Sequence, residues 1–151
     1  MARIISPLHT KYRLLIRWSP IHRLGVFAQE TIPRGKRIVE YTGERLTITQ
    51  VKRRFRRNVR IGARRKNVYF SRVDRRWIVD GAVGGSGAEL INHSCDPNIT
   101  VRRIRGHILY FSRRIIRPGE ELTVDYNYAK NESKIPCRCG SPKCRGSMNR
   151  R

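Results

Sequence analysis

Acidic side chains are scarce in this chain. Only 11 Asp and Glu stand against 34 Lys and Arg in 151 residues, and the formal net charge is +23 at pH 7. Arg supplies 27 of the 34 cations. Such a field works against cationic partners and favours polyanions. Long apolar runs are also missing. The first thirty residues alternate charged with apolar side chains, so neither a signal peptide nor a membrane span is expected, and an intracellular, soluble protein follows. No internal repeat is visible. The length admits one hydrophobic core and is too short for two ordinary domains. Cysteine is confined to four positions. In a reducing compartment such cysteines serve as metal ligands or catalytic groups more often than as disulfides, with a disulfide pairing as the alternative.

The placement of those four is informative. Cys137, Cys139 and Cys144 crowd the C-terminus, and Cys95 lies alone within Asn92-His93-Ser94-Cys95-Asp96-Pro97-Asn98. A tetrahedral zinc site takes four ligands, so a tail with three thiolates needs one from elsewhere in the fold, and Cys95 is the cysteine left to supply it. His93 is another ligand type in the same run, although four thiolates already complete the tetrahedron. Closure by Cys95 would pin the last segment of the chain onto the loop 92–98.

Short apolar runs punctuated by Gly and Pro predict strands over 13–18, 25–28, 36–41, 68–71, 77–79, 99–103, 107–111 and 121–124. A helix is predicted over 48–58, with Thr47 or Thr49 as its cap and Val51 and Phe55 four apart on one face. A mostly-β domain with little helix follows. The glycine-rich stretch 81–87 reads as a flexible loop before a short helical turn at 88–91. Polar residues at 130–134 mark a boundary between a main portion, 1–130, and a cysteine tail, 131–151. The densest basic run, Lys52-Arg53-Arg54-Phe55-Arg56-Arg57 with Arg60, Arg64, Arg65 and Lys66, suits non-specific contact with phosphates. A solvated arginine-rich surface is the plainer reading of the same run.

Several fragments are ambiguous alone. Gly25, in Arg23-Leu24-Gly25-Val26-Phe27, admits close approach of a ligand to the backbone, or simply makes a turn. Tyr41, in Glu40-Tyr41-Thr42-Gly43-Glu44, ends a strand, where a tyrosine ordinarily just packs. Asn92 and His93 are polar and bracketed by apolar residues and a Pro turn, so if buried they need hydrogen-bond partners, and a ligand is one source.

In order, Gly-Val-Phe, Glu-Tyr-x-Gly-Glu, Ile-Asn-His-Ser-Cys-x-Pro-Asn, Gly-Glu-Glu-Leu-Thr-x-Asp-Tyr and Cys-x-Cys-x-x-x-x-Cys form one pattern running from about Trp18 to Met148. That pattern resembles the SET-domain lysine methyltransferases with a post-SET zinc motif. The resemblance implies a β-clip fold of small sheets with a knot-like threading of the C-terminal segment, an exception to the rule against threading. It implies that S-adenosylmethionine and a substrate lysine enter from opposite faces. Arg23, Leu24, Gly25, Val26 and Phe27, with Asn92 and His93, would hold the cofactor, largely through backbone groups, and Met148 would cover the adenine. Tyr126 matches the catalytic tyrosine and Tyr41 a tyrosine of the same site. Val124 and Tyr128 would line the lysine channel. Cys95, Cys137, Cys139 and Cys144 match the zinc cluster, its charge offset by Arg138, Lys143 and Arg145.

The implied reaction is in-line attack of a neutral lysine amine on a sulfonium methyl. A free lysine pKa of about 10.4 falls in a desolvated channel beside positive sulfur, so no dedicated base is obligatory. Val124 stands where family members often carry Phe or Tyr, which favours addition of more than one methyl group. Glu89 stands where the family often has Arg. No cysteine-rich segment precedes Trp18, so the metal-rich pre-SET module of some members is not expected. Two competing readings are a zinc-stapled nucleic-acid-binding protein without catalysis and a non-catalytic SET scaffold. The expected partner is a protein carrying the target lysine, such as a histone or nucleic-acid-associated protein. The expected location is the nucleus in a eukaryote, or cytoplasm and nucleoid in a bacterium.

Overall fold

Short β-branched and aromatic runs, each cut off by a turn, build four small sheets here in place of one large one. The structure, a computed structural model, describes residues 3–60, 69–131 and 133–150. Arg64, Arg65, Lys66 and the start of the run predicted at Val68 lie outside the described residues. The first sheet joins β1 (Arg3–Ile4), β2 (Leu14–Trp18) and β3 (Leu24–Ala28) antiparallel. The second sets β10 (His107–Ser112) between β4 (Arg37–Tyr41) and β9 (Ile99–Ile104). In the third, β7 (Trp77–Asp80) lies between β5 (Glu44–Thr47) and β6 (Phe70–Arg72). The last is a two-residue parallel ladder of β8 (Asn92–His93) and β11 (Thr123–Val124).

The predicted strands are all found, within a residue or two at most ends; β1, β5 and β8 are additional. Two-residue ladders such as β1 and β8 are too short to carry a period that sequence reading can detect. The predicted turn at 88–91 is a 3-10 turn over Ala88–Leu90. One aliphatic core runs through the sheets, with Leu14, Val26, Ile32, Val39, Ile99, Ile116 and Leu122 each fully shielded from solvent.

The helix α1 spans Ile48–Arg60. Thr47 caps it: Gln50 N–H donates to Thr47 Oγ1 at 3.3 Å while the Gln50 amide oxygen accepts from Thr47 N–H at 2.7 Å, a reciprocal capping box. The apolar pair expected to seat the helix does less than predicted, since Phe55 stays 38% exposed. Arg54 does that work, bonding Glu44 at 2.8 Å and Asp80 at 2.7 Å.

The segment 119–124 is gripped from two sides. Leu122 N–H donates to the Val26 carbonyl at 2.7 Å and Ala28 N–H to the Glu120 carbonyl at 2.9 Å. On the other side, Ser94 N–H donates to the Val124 carbonyl at 3.1 Å, continuing the β8 ladder. The buried Asn98 amide completes the grip, donating to the Glu121 carbonyl at 2.8 Å and accepting from Thr123 N–H at 2.9 Å. The chain just before Tyr126 is thereby enclosed by earlier segments, as a threaded C-terminus requires.

Candidate active site

A polar run can be buried only if its donors and acceptors are matched, and the run 92–98 is matched almost wholly by the chain itself. Asn92 is 5% exposed. Its amide nitrogen donates to the His22 carbonyl at 3.2 Å, the Leu24 carbonyl at 3.1 Å and Glu121 Oε1 at 2.8 Å. Glu121 Oε2 accepts in turn from Ser19 Oγ at 2.8 Å. The carboxylate occupies the space that a side chain at Gly25 would need, since a Cβ there would come within 2.2 Å of Glu121 Oε1. The glycine therefore makes room for an internal carboxylate.

His93 links two other features. Its Nδ1 accepts the Tyr126 N–H at 3.0 Å, which leaves the ring proton on Nε2, 3.4 Å from Cys95 Sγ. Burial pushes the imidazole down, so it stays neutral. His93 thus supports a cysteine sulfur with its second nitrogen and is not needed as a fourth ligand.

The sulfurs of Cys95, Cys137, Cys139 and Cys144 lie within 4.8 Å of one another. Cys95 Sγ and Cys137 Sγ are 3.7 Å apart. A tetrahedral centre with Zn–S bonds of about 2.3 Å places its sulfurs about 3.8 Å apart, whereas a disulfide needs about 2.0 Å. The donor set and its spacing fit a zinc ion. Burial pushes the Cys95 and Cys137 thiols up. Burial opposes ionisation of Cys139 as well, yet the N–H groups of Cys95 and Ser141 outweigh it and bring that thiol down to about 6. Nearby cations are already engaged: Arg145 holds Asp125 at 2.7 and 3.0 Å, and Lys143 reaches Asp96 at 3.2 Å. Partial burial pushes the Asp125 carboxyl up, but Arg145 and the Asn127 N–H outweigh that and hold it below the usual carboxylate range.

Beside this cluster opens a cavity of about 830 Å³. Its walls include Arg17, Trp18, His22, Arg23, Leu24, Asn92, His93 and the tail residues Pro136, Cys137, Arg138, Cys139 and Met148. Arg23 has a left-handed backbone, φ 44, just before β3. The same walls carry the aromatic residues Tyr41, Tyr69, Phe70, Tyr110, Tyr126 and Tyr128, with Val124 and Glu89. Gly25, Val26 and Phe27 are not among the residues that line the cavity: Gly25 abuts Glu121, and Val26 and Phe27 are buried.

The two tyrosine hydroxyls are each held by a carbonyl. Tyr126 donates to the Ile91 carbonyl at 2.9 Å and Tyr41 to the Tyr69 carbonyl at 2.5 Å. Burial pushes both phenols above their ordinary range. Tyr126 packs edge-on to Tyr128, ring centroids 5.7 Å apart, and Tyr41 edge-on to Tyr110 at 6.4 Å. The cavity has room for a drug-sized ligand with an apolar body and several polar groups. Tyr69, Phe70, Tyr110 and Glu121 were not foreseen as site residues; each is an unremarkable strand or loop residue until the fold places it. Asn149 was also missed: it ties the tail down by donating to the Ala129 carbonyl at 2.9 Å and accepting from Ile135 N–H at 2.9 Å.

A family model described as SET domain matches residues 23–127. Histone-lysine N-methyltransferase TRX1 of Oryza sativa subsp. japonica is 41% identical over 91% of this chain and 14% of its own length. The H3 lysine-4 specific histone-lysine N-methyltransferase of Schizosaccharomyces pombe is 42% identical over 87% of this chain and 14% of its own. Trithorax of Drosophila virilis, also a histone-lysine N-methyltransferase, is 35% identical over 95% of this chain and 4% of its own. The chain therefore spans 14% or less of the length of these relatives. With that likeness covering the cavity, the Asn92–Cys95 run and Tyr126 together, the chain belongs to the SET domain family.

Proposed function

We propose that this chain is a protein-lysine N-methyltransferase that uses S-adenosylmethionine, with residues 1–130 as its catalytic portion and 131–151 as a post-SET segment that holds zinc. The observation that carries this reading is one cavity lined by Arg23, Leu24, Asn92, His93 and Met148 together with Tyr41, Val124, Tyr126 and Tyr128. The names of the relatives support a histone or another nucleic-acid-associated protein as substrate and, in a eukaryotic host, the nucleus as its place of action. The +23 charge supports proximity to nucleic acid. Among the described residues no helix is long and apolar enough to cross a membrane.

S-adenosylmethionine, when bound, supplies an electrophilic methyl group on a positively charged sulfur. The chain's residues must then deliver a neutral amine along a fixed line and keep water out. The aromatic walls of Tyr41, Tyr110, Tyr126 and Tyr128 desolvate the amine, which lowers its affinity for a proton. Tyr126 and Tyr41 keep their own protons and act by position, each fixed through a carbonyl bond. Cys95, Cys137, Cys139 and Cys144 would hold zinc, whose charge would bind the tail wall of the cavity to the Asn92–Cys95 run.

Calorimetric titration with S-adenosylmethionine, followed by methyl labelling of a cell lysate, tests the proposal. Saturable binding and label on lysine are expected, with di- or trimethyl product in mass spectra because Val124 offers no hydroxyl to hold a blocking water. A zinc-loaded chain that binds no cofactor would sink the reading.

A further inference from the structure

Carboxylates are few in this chain, and most of the described ones have a cation partner. Glu30, Glu40, Glu44, Asp80, Asp96, Glu120 and Asp125 each face an Arg or a Lys. Glu121 is closed in by Ser19 and Asn92, and Asp74 is bonded by the N–H groups of Arg76 and Trp77. Glu89 is different. It is partly buried, lines the cavity, and has no ion-pair partner among the described residues. The other carboxylate on the cavity wall, Asp125, is taken by Arg145 at 2.7 Å. Arg103, a cation of the same cavity, gives its Nε to the Arg72 carbonyl at 2.6 Å.

The fold is shaped around this side chain. The Gly87 N–H donates to Glu89 Oε2 at 2.8 Å. A Cβ at Gly85 would meet that oxygen at 2.6 Å, and one at Gly81 would meet Glu89 Cβ at 2.7 Å and Tyr41 Oη at 2.8 Å. Gly85 leaves space for the Glu89 carboxylate, and Gly81 for the Glu89 stem and the Tyr41 hydroxyl. A carboxylate bonded by one N–H and without an ion-pair partner among the described residues keeps acceptor capacity for a cation that arrives from outside.

We propose that Glu89 is the ammonium-binding group of this cavity, receiving the positive charge of the incoming lysine side chain. The inference rests on the methyltransferase reading and adds how a chain of +23 charge admits a cationic side chain. The arriving ammonium exchanges part of its hydration for one carboxylate in a cavity that Tyr41 and Tyr110 also line. Glu89 acts in capture, ahead of the chemistry: a carboxylate raises the proton affinity of an amine beside it, so the side chain must leave Glu89 and give its proton to solvent before the neutral amine attacks.

The test uses n-butylammonium as a lysine side-chain probe and 1-butanol as its neutral counterpart, titrated into the zinc-loaded chain and followed by the ring resonances of Tyr41 and Tyr110. Wild-type protein should bind the ammonium saturably, and Glu89→Gln, which keeps an acceptor for the Gly87 N–H, should weaken it about tenfold or more, as expected for a hydrogen bond to a charged group. Glu89→Asp should keep the preference for the ammonium over the alcohol. Equal ammonium affinity in wild type and Glu89→Gln, or an equal loss for 1-butanol, would overturn the proposal. Titration of S-adenosylmethionine into the same wild-type preparation tests the methyltransferase reading independently, so the two failures are told apart.

Discussion

Tyr126 shows how a single side chain is assigned a role by its surroundings. Its N–H is held by His93, its hydroxyl by the Ile91 carbonyl, and burial pushes its phenol above the ordinary value. A phenol so raised is protonated throughout the neutral range, so it can orient and donate but cannot serve as a base. The rising limb of the pH–rate profile then belongs to the substrate amine, whose neutral fraction grows with pH. Tyr126→Phe should lower kcat by about 100-fold, the scale of one lost positioned donor, and leave cofactor affinity and the midpoint of the rising limb where they were. A midpoint displaced by the substitution would return the tyrosine to the role of base. Asn92, His93 and Tyr126 stood out in their motifs, and all three line the cavity. Their partners did not stand out, because the carbonyls of His22, Leu24 and Ile91 carry no residue-type signal and lie up to 70 residues away.

Among the elements, the tail gives the clearest case of structure that depends on a cross-link. Its backbone bonds among the described residues are few: Arg150 N–H to the Tyr128 carbonyl and Met148 N–H to the Ile135 carbonyl, each 2.9 Å, Cys144 N–H to the Ser141 carbonyl at 3.0 Å and Cys137 N–H to the Gly146 carbonyl at 3.2 Å. So short a segment buries little apolar surface of its own, and the four-sulfur cluster must supply the rest. Removal of zinc with a chelator should lower the melting temperature and weaken S-adenosylmethionine binding, because Met148, Pro136 and Cys137 form one wall of the cavity. Calorimetry on the chelated and reloaded protein reads both effects; an unchanged cofactor affinity would leave the cluster with a purely structural role. Cysteine counting predicted this link, as four thiolates make a complete ligand set whatever the fold. The helix was predicted too, but not its attachment, since an arginine within a basic run gives no sign that it will turn inward to Glu44 and Asp80.

For the whole molecule the dominant quantity is charge. Arg54 is neutralised by two carboxylates, but Lys52, Arg53 and Arg56 on the same helix remain exposed. A field of this sign should draw the protein to duplex DNA without sequence preference. The dissociation constant, measured by fluorescence anisotropy at salt from about 50 to 200 mM, should rise with a log–log slope of about 3 or more, as release of several counterions requires. A slope near zero would show that the arginines are only a solvated surface.

Mostly-β character, the pairing of Cys95 with the cysteine tail and the family could be read along the chain, because residue type, spacing and order encode each of these locally. Which motif residues line the cavity and which are used inside the protein came from the folded arrangement. Gly25 yields its space to Glu121, Asn92 ties the His22 and Leu24 carbonyls to Glu121, and Glu89 lines the cavity without an ion-pair partner among the described residues. The physical reason is that a buried polar group is defined by what satisfies it, and those partners come from distant segments that no local pattern brings together.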